Sequence, residues 1–87
     1  MKILAVKDIL RKDVPIYYRR FFSAVAVLEL INKSQERHID FMIETKPTGA
    51  KEISLSFSEP VDYPLTPLIK ELKAFVISMD DRGDLPV

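Results

Sequence analysis

The longest apolar run in the chain is Phe21–Ile31, and its only charged residue is Glu29. The run is rich in β-branched and aromatic residues, which are typical of a buried β-strand. It is too short, and too interrupted by Ser23 and Glu29, to cross a bilayer. Periodicity alone does not separate a buried strand from a buried helix in so continuous a run. The segments that follow it favour a strand.

Two later segments alternate between apolar and polar positions. Arg37–Thr45 and Glu52–Ser58 place their apolar residues at every second position, namely Ile39, Phe41 and Ile43 in the first and Ile53, Leu55 and Phe57 in the second. This alternation predicts two strands, each with one buried and one solvated face. Phe21–Ile31, which is apolar on both faces, is therefore predicted to be a strand beside them.

The first long strand is predicted to open at Pro15 and to contain a bend or bulge near Ser23-Ala24, because it exceeds the usual strand length. If Glu29 faces solvent, its face also carries Tyr17, Arg19, Phe21, Val25 and Val27. The opposite face then carries Tyr18, Arg20, Phe22, Ala24, Ala26, Leu28 and Leu30.

Two connections separate the predicted strands. Asn32–Glu36 is a polar connection of hairpin length, and Lys46–Gly49 has the proline and glycine of a tight turn. If Glu44 opposes Glu52, the facing apolar pairs are Ile43 with Ile53, Phe41 with Leu55, and Ile39 with Phe57. This register also places two like charges opposite each other on the exposed face.

The C-terminal part predicts one amphipathic helix over Thr66–Asp81. Thr66 is expected to cap it, Pro67 to occupy its first position, and Gly83 to end it. Its apolar stripe consists of Leu68, Ile69, Leu72, Phe75 or Val76, and Met79. We expect this stripe to pack on the sheet face that carries Ile39, Phe41 and Ile43.

The predicted fold class is α+β, with a three- to four-stranded antiparallel β-meander and one C-terminal helix packed on one face. Residues 1–87 form a single domain. Residues 1–13 are expected to begin as a strand and continue as a helical turn over Val6–Lys12. The meander occupies 14–58, the helix 66–81 and a tail 82–87.

Composition limits the function. Basic and acidic side chains number 13 each, which disfavours a strong polyanion binder, although the first twenty residues hold six basic and two acidic side chains. The chain has no cysteine, which excludes disulfides and thiolate sites. The apolar residues of Ile3–Val6 are too few for a signal peptide, so we expect a cytoplasmic location.

Candidate catalytic and metal-binding residues are sparse. His38 and Glu44 lie about 20 Å apart along the predicted strand, so they cannot share a metal ion with Asp40 between them. Ser58 and His38 could meet across the hairpin, but no third group orients the ring and no glycine-rich loop forms an oxyanion hole. We therefore expect no enzyme activity, no cofactor and no metal.

A cluster of aromatic and basic residues offers one binding function. Tyr17, Arg19, Arg20 and Phe21 could stack nucleic-acid bases and follow the phosphates on a sheet surface. The order of elements also resembles the strand–strand–strand–helix units of Pur-type and Whirly-type single-strand DNA-binding proteins. That resemblance implies a similar fold and single-strand binding, and it carries no site residue to this chain. This is the alternative function.

The first choice is a small interaction module that acts as a homodimer. One helix covers only one face of the sheet, so the apolar residues of the other face need a partner. The expected interface consists of Phe21, Val25, Val27, Ile31 and Met42. The alternative is that residues 1–13 fold over this face, and no membrane association is expected.

Overall fold

The computed structural model describes residues 1–86, which form a four-stranded antiparallel sheet with one helix packed on one face. The strands lie side by side in chain order, so the sheet is a meander. Their bounds are β1 Lys2–Lys12, β2 Arg19–Leu30, β3 Lys33–Thr45 and β4 Lys51–Phe57, and the helix α1 spans Leu65–Asp81. The predicted α+β fold is confirmed.

The N-terminal segment is a strand throughout, so the helical turn expected over Val6–Lys12 is wrong. The register between β1 and β2 shifts between Ile3 and Ala5 and again between Lys7 and Leu10. Each shift adds a residue to β1, as a β-bulge does. The apolar residues spaced three apart, Ile3, Val6 and Ile9, therefore all pack against the core from a strand. The bulges explain why the pattern resembles a helix.

The central strand β2 begins later and runs more regularly than predicted. It starts at Arg19, well after Pro15, and it pairs with β3 without a register shift. No bulge therefore lies at Ser23-Ala24. The irregularity is in β1, where Asp8 has a φ of 52° and lies opposite that part of β2.

The connection between β2 and β3 is a two-residue turn, so the polar connection predicted over Asn32–Glu36 is wrong. Leu30 pairs with Lys33, and the two residues between them, Ile31 and Asn32, have φ values of 51° and 59°. Two consecutive positive φ values are those of the type I′ turn, whose twist matches that of a hairpin. Glu36 consequently belongs to β3.

The β3–β4 hairpin has the predicted register. Ile43 pairs with Ile53, Phe41 with Leu55, and Ile39 with Phe57. The like-charged pair is also present, since Glu44 opposes Glu52. Each of these carboxylates has a basic partner, Arg19 at 2.7 Å for Glu44 and Lys46 at 2.8 Å for Glu52, which offsets the repulsion.

The helix α1 begins earlier than predicted. Its first residue is Leu65, and Pro64 precedes it without any side-chain cap, so the prediction of Thr66 as the cap is wrong. Pro67 is the third helical residue, where its missing N–H costs nothing because the first four N–H groups of a helix have no intrahelical partner. Among the described residues, no helix is long and apolar enough to span a membrane.

The end of α1 matches the prediction, and the tail continues the core. Gly83 has a φ of 76°; its N–H donates to the Asp80 carbonyl, and the Asp84 N–H donates to that of Met79. These two bonds form a Schellman motif. The motif turns the chain so that Leu85, in the predicted tail, is only 7% exposed.

The core lies between α1 and one face of the sheet. The helix contributes Leu68, Leu72, Val76 and Met79, which settles Val76 rather than Phe75 as the buried position. β2 contributes Phe22, Ala24, Ala26, Leu28 and Leu30, the face predicted to lie opposite Glu29. Phe22 stacks on Phe41 of β3 with ring centroids 4.9 Å apart.

Candidate interaction surface

The sheet face opposite α1 has no helix over it, and we call it the open face. Four of the five residues predicted for a dimer interface lie on it, because Phe21 pairs with Met42 and Val25 and Val27 follow on alternate positions of β2. Ile31 lies apart from them, in the β2–β3 turn, and is 74% exposed.

Two ion pairs cross the open face above β2. Lys7 of β1 reaches Glu36 of β3 with an Nζ–Oε2 distance of 3.0 Å, and Lys12 of β1 reaches Asp40 of β3 at the same distance. Because β2 lies between β1 and β3, the aliphatic stems of both lysines pass over it. Val25 is only 9% exposed although no helix covers this face. β1 therefore covers part of the face from within the sheet, by its side chains rather than by folding over.

Asp40 is the best-connected polar group of the open face. It accepts hydrogen bonds from Lys12 Nζ at 3.0 Å and from Ser58 Oγ at 3.2 Å. The bond from Lys12 is the main cause that holds the pKa of Asp40 below its ordinary value. Ser58 meets His38 only through the backbone, where its N–H donates to the His38 carbonyl at 3.0 Å. The serine is thus paired with a carboxylate rather than with the imidazole.

Metal-binding groups do not gather in the part of the chain that the structure describes. No set of three histidine, aspartate or glutamate side chains in residues 1–86 lies close enough to hold an ion. Along β3, His38, Asp40 and Glu44 follow one face, and the two carboxylates are engaged by basic side chains.

The aromatic and basic cluster divides between both faces of the sheet. Arg19 lies on the open face, bound to Glu44 at 2.7 Å, with its guanidinium carbon 5.5 Å from the centroid of the Tyr18 ring. Arg20 lies on the helix face. Tyr17 is 95% exposed and contacts Tyr18 edge-on with centroids 5.8 Å apart. The four predicted residues therefore do not share one platform.

Arg20 belongs to a charged cluster that sequence reasoning missed. Its two terminal nitrogens donate to the two carboxylate oxygens of Asp80, at 2.8 and 2.9 Å, and Lys51 Nζ lies 2.7 Å from Asp80 Oδ2. The bidentate bond from Arg20 is the main cause that lowers the pKa of Asp80 to about 2. The inward parity of Arg20 was the available signal, since an inward arginine requires an acidic partner.

The free edge of β4 is a second surface that the sequence did not reveal. Ile53, Leu55 and Phe57 are half-buried at the margin of the core, and β4 is the last strand of the sheet. Beside them, the start of α1 and the preceding loop enclose a groove of about 480 Å³. The residues of α1 that line it are Leu65 and Ile69.

These features define a small α+β sheet protein with one open face and one apolar edge. The chain belongs to the BB-0187 family, whose sequence model matches residues 1–81. The matched residues include all four strands and end with the last residue of α1. Neither a curated protein nor a solved structure matches the chain.

Proposed function

We propose that this protein is a small non-enzymatic interaction module that acts as a homodimer. One observation carries the proposal: α1 covers one face of the sheet, and no element of residues 1–86 covers the open face or the outer edge of β4. Half-buried apolar side chains lie on both surfaces. Completing the burial of such a side chain contributes up to about 1.5–3 kcal/mol.

The size of the domain makes this uncovered surface matter. A chain of this length buries only about 60% of its unfolded surface, and a domain has a total stability of about 5–15 kcal/mol. A second copy is a partner that the cell supplies together with the chain itself. Closed two-fold pairing is the commonest way in which a small protein covers such surface.

The interface residues predicted from the sequence support one form of this contact. Phe21, Val27 and Met42 are half-buried on the open face. The two lysine ion pairs reduce the apolar area that a second copy would cover there.

The oligomeric state tests the proposal directly. Size-exclusion chromatography with light scattering, over a series of micromolar concentrations, should give twice the 10.0 kDa mass of one chain. Dilution should shift the mass towards that of the single chain. A constant mass of one chain across the series would overturn the proposal.

Single-stranded nucleic-acid binding is the second candidate, and one observation favours it. Tyr17 and Tyr18 are 95% and 47% exposed, and exposed rings can stack on bases. It ranks second because Arg19 and Arg20 already have carboxylate partners. Fluorescence anisotropy with labelled single strands at two salt concentrations tests it. Salt-sensitive binding that is lost in a Tyr17→Ala/Tyr18→Ala variant would promote it above the homodimer.

A further inference from the structure

The two edge strands of the sheet differ in how they resist pairing with another chain. β1 carries two register shifts, a residue with positive φ at Asp8, and basic residues along its length. Bulges and lysines are the features by which natural edge strands avoid further pairing. β4 pairs with β3 without a shift, and its charged residues are confined to its first two positions, Lys51 and Glu52.

The hydrogen bonds of the hairpin show which peptide groups of β4 are free. Antiparallel pairs alternate between hydrogen-bonded and non-hydrogen-bonded pairs. The Ser58 N–H donates to the His38 carbonyl, and the Lys46 N–H donates to that of Ala50, so even-numbered residues of β4 bond to β3. The peptide groups of Ile53, Leu55 and Phe57 therefore point away from β3.

The side chains of these same three residues point to the helix side of the sheet. Ile53, Leu55 and Phe57 pair with Ile43, Phe41 and Ile39, which are buried beneath α1. A strand added to this edge would bond to the three free peptide groups. Its helix-side side chains would enter the groove lined by Leu65 and Ile69. The edge thus combines unpaired backbone with an apolar pocket, as peptide-binding sheet edges do.

The sequence of β4 is complementary to itself in one antiparallel register. When Leu55 faces Leu55 of a second copy, Ile53 faces Phe57, Ser54 faces Ser56, and Lys51 faces Glu59. Glu59 has no ion-pair partner within residues 1–86. Moving the register by two residues in either direction sets a charged side chain opposite an apolar one. Only this register pairs apolar with apolar, serine with serine and lysine with glutamate.

We propose that two copies of this chain join through their β4 edges, antiparallel and centred on Leu55, to form one continuous eight-stranded sheet. The two-fold axis is perpendicular to the sheet, so both helices lie on the same side. The two open faces then form one broad surface on the other side. This inference rests on the proposed homodimer, and it names a different contact surface from the open face.

A single cysteine tests the register, because the natural chain has none. Cα atoms of a hydrogen-bonded antiparallel pair lie about 5.5 Å apart, within the range that a disulfide spans. Under mild oxidation at a concentration where the wild type dimerises, Leu55→Cys should give a disulfide-linked dimer on a non-reducing gel. Leu10→Cys is the matched control, an exposed leucine on the other edge strand, and should remain monomeric on the gel. Cross-linking of both variants to the same extent would overturn the register.

Two charge variants locate the contact independently. Ser54→Lys/Ser56→Lys changes two exposed side chains and places like charges opposite each other in two pairs across the seam. Light scattering should show loss of the dimer, with an unchanged far-ultraviolet circular dichroism spectrum. Val27→Lys, on the open face, should leave the dimer intact.

The outcomes separate the two proposals. A wild type that is monomeric overturns both. A wild-type dimer that survives the serine double variant, or that dissociates in Val27→Lys without cross-linking through Leu55→Cys, overturns the β4 contact and leaves the homodimer standing. Cross-linking through Leu55→Cys together with dissociation of the serine double variant supports both.

Discussion

Arg20 of β2 binds Asp80 of α1 through two parallel hydrogen bonds, at 2.8 and 2.9 Å. The Asp80 side chain is 8% exposed and that of Arg20 is 25% exposed. The pair joins the start of the central strand to the last turn of the helix, sixty positions apart along the chain. It is therefore a tertiary constraint on where the helix ends over the sheet.

Replacing Asp80 by asparagine should destabilise the fold. The variant leaves the guanidinium of Arg20 and the ammonium of Lys51 without their carboxylate, at a cost of about 2–3 kcal/mol. Urea unfolding followed by circular dichroism measures the change. Asp84→Asn is the matched control, since it breaks the exposed Arg82–Asp84 pair and should leave the midpoint nearly unchanged. Equal effects of the two variants would contradict the structural role of Asp80.

Stability should fall in acid partly because of Asp80. Its pKa is about 2 in the folded protein, against an ordinary value of 3.8 for the unfolded chain. The unfolded state therefore binds the proton first as pH falls. The contribution of Asp80 is fully present above pH 5 and is lost as pH falls from about 4 to 2. It amounts to about 1–2 kcal/mol after allowance for solvent screening.

Urea midpoints measured between pH 2 and pH 7 test this dependence. Asp40 and Glu52 also have pKa values lowered by lysines, so the wild type should lose stability through several groups. The Asp80→Asn variant isolates one of them, and its curve should be flatter between pH 2 and pH 4. Parallel curves for the two proteins would show that Asp80 has no lowered pKa.

The turn between β2 and β3 should accept a stabilising substitution. Ile31 has a φ of 51°, a conformation that β-branched residues rarely adopt, and its side chain is 74% exposed. Ile31→Asn should raise the free energy of unfolding by about 1 kcal/mol, because asparagine suits this position of a type I′ turn. Ile31→Val keeps the β-branch and should give no gain in thermal or urea unfolding.

Gly83 should be required for the end of α1 by its backbone alone. A Cβ at this position would meet no atom within 4 Å, yet the φ of 76° is unfavourable for alanine. Gly83→Ala should therefore cost about 1 kcal/mol. Gly83→Asn should cost less, because asparagine tolerates the left-handed region. If alanine and asparagine behave alike in urea unfolding, the Schellman motif is not what sets the cost.

The sequence was most informative where structure is local. The alternation in β3 and β4, together with the Lys46–Gly49 turn, predicted the residue pairs of that hairpin correctly. A slip by one residue would have turned every apolar side chain to water, so the pattern left a single register. The stripe of α1 and the role of Gly83 were predictable for the same reason.

Local patterns failed where one element had to be interpreted without its neighbour. Ile3, Val6 and Ile9 have helical spacing, and only pairing with β2 shows that bulges bring them to one face of a strand. The Phe21–Ile31 run was predicted to expose Val25, which the lysine stems of β1 cover in the folded protein. Neither effect is visible in the segment itself.

The sequence by itself determined the class of fold, the β3–β4 register and the face of the helix that is buried, because apolar periodicity and turn residues act over a few positions. The tertiary structure alone decided that Arg20 meets Asp80, that β1 shields the open face, and that the edge of β4 is free. Those relationships join residues far apart in the chain, and an edge exists only once the order of the strands is known. Whether a peptide group is paired depends on the strand beside it rather than on its own residue.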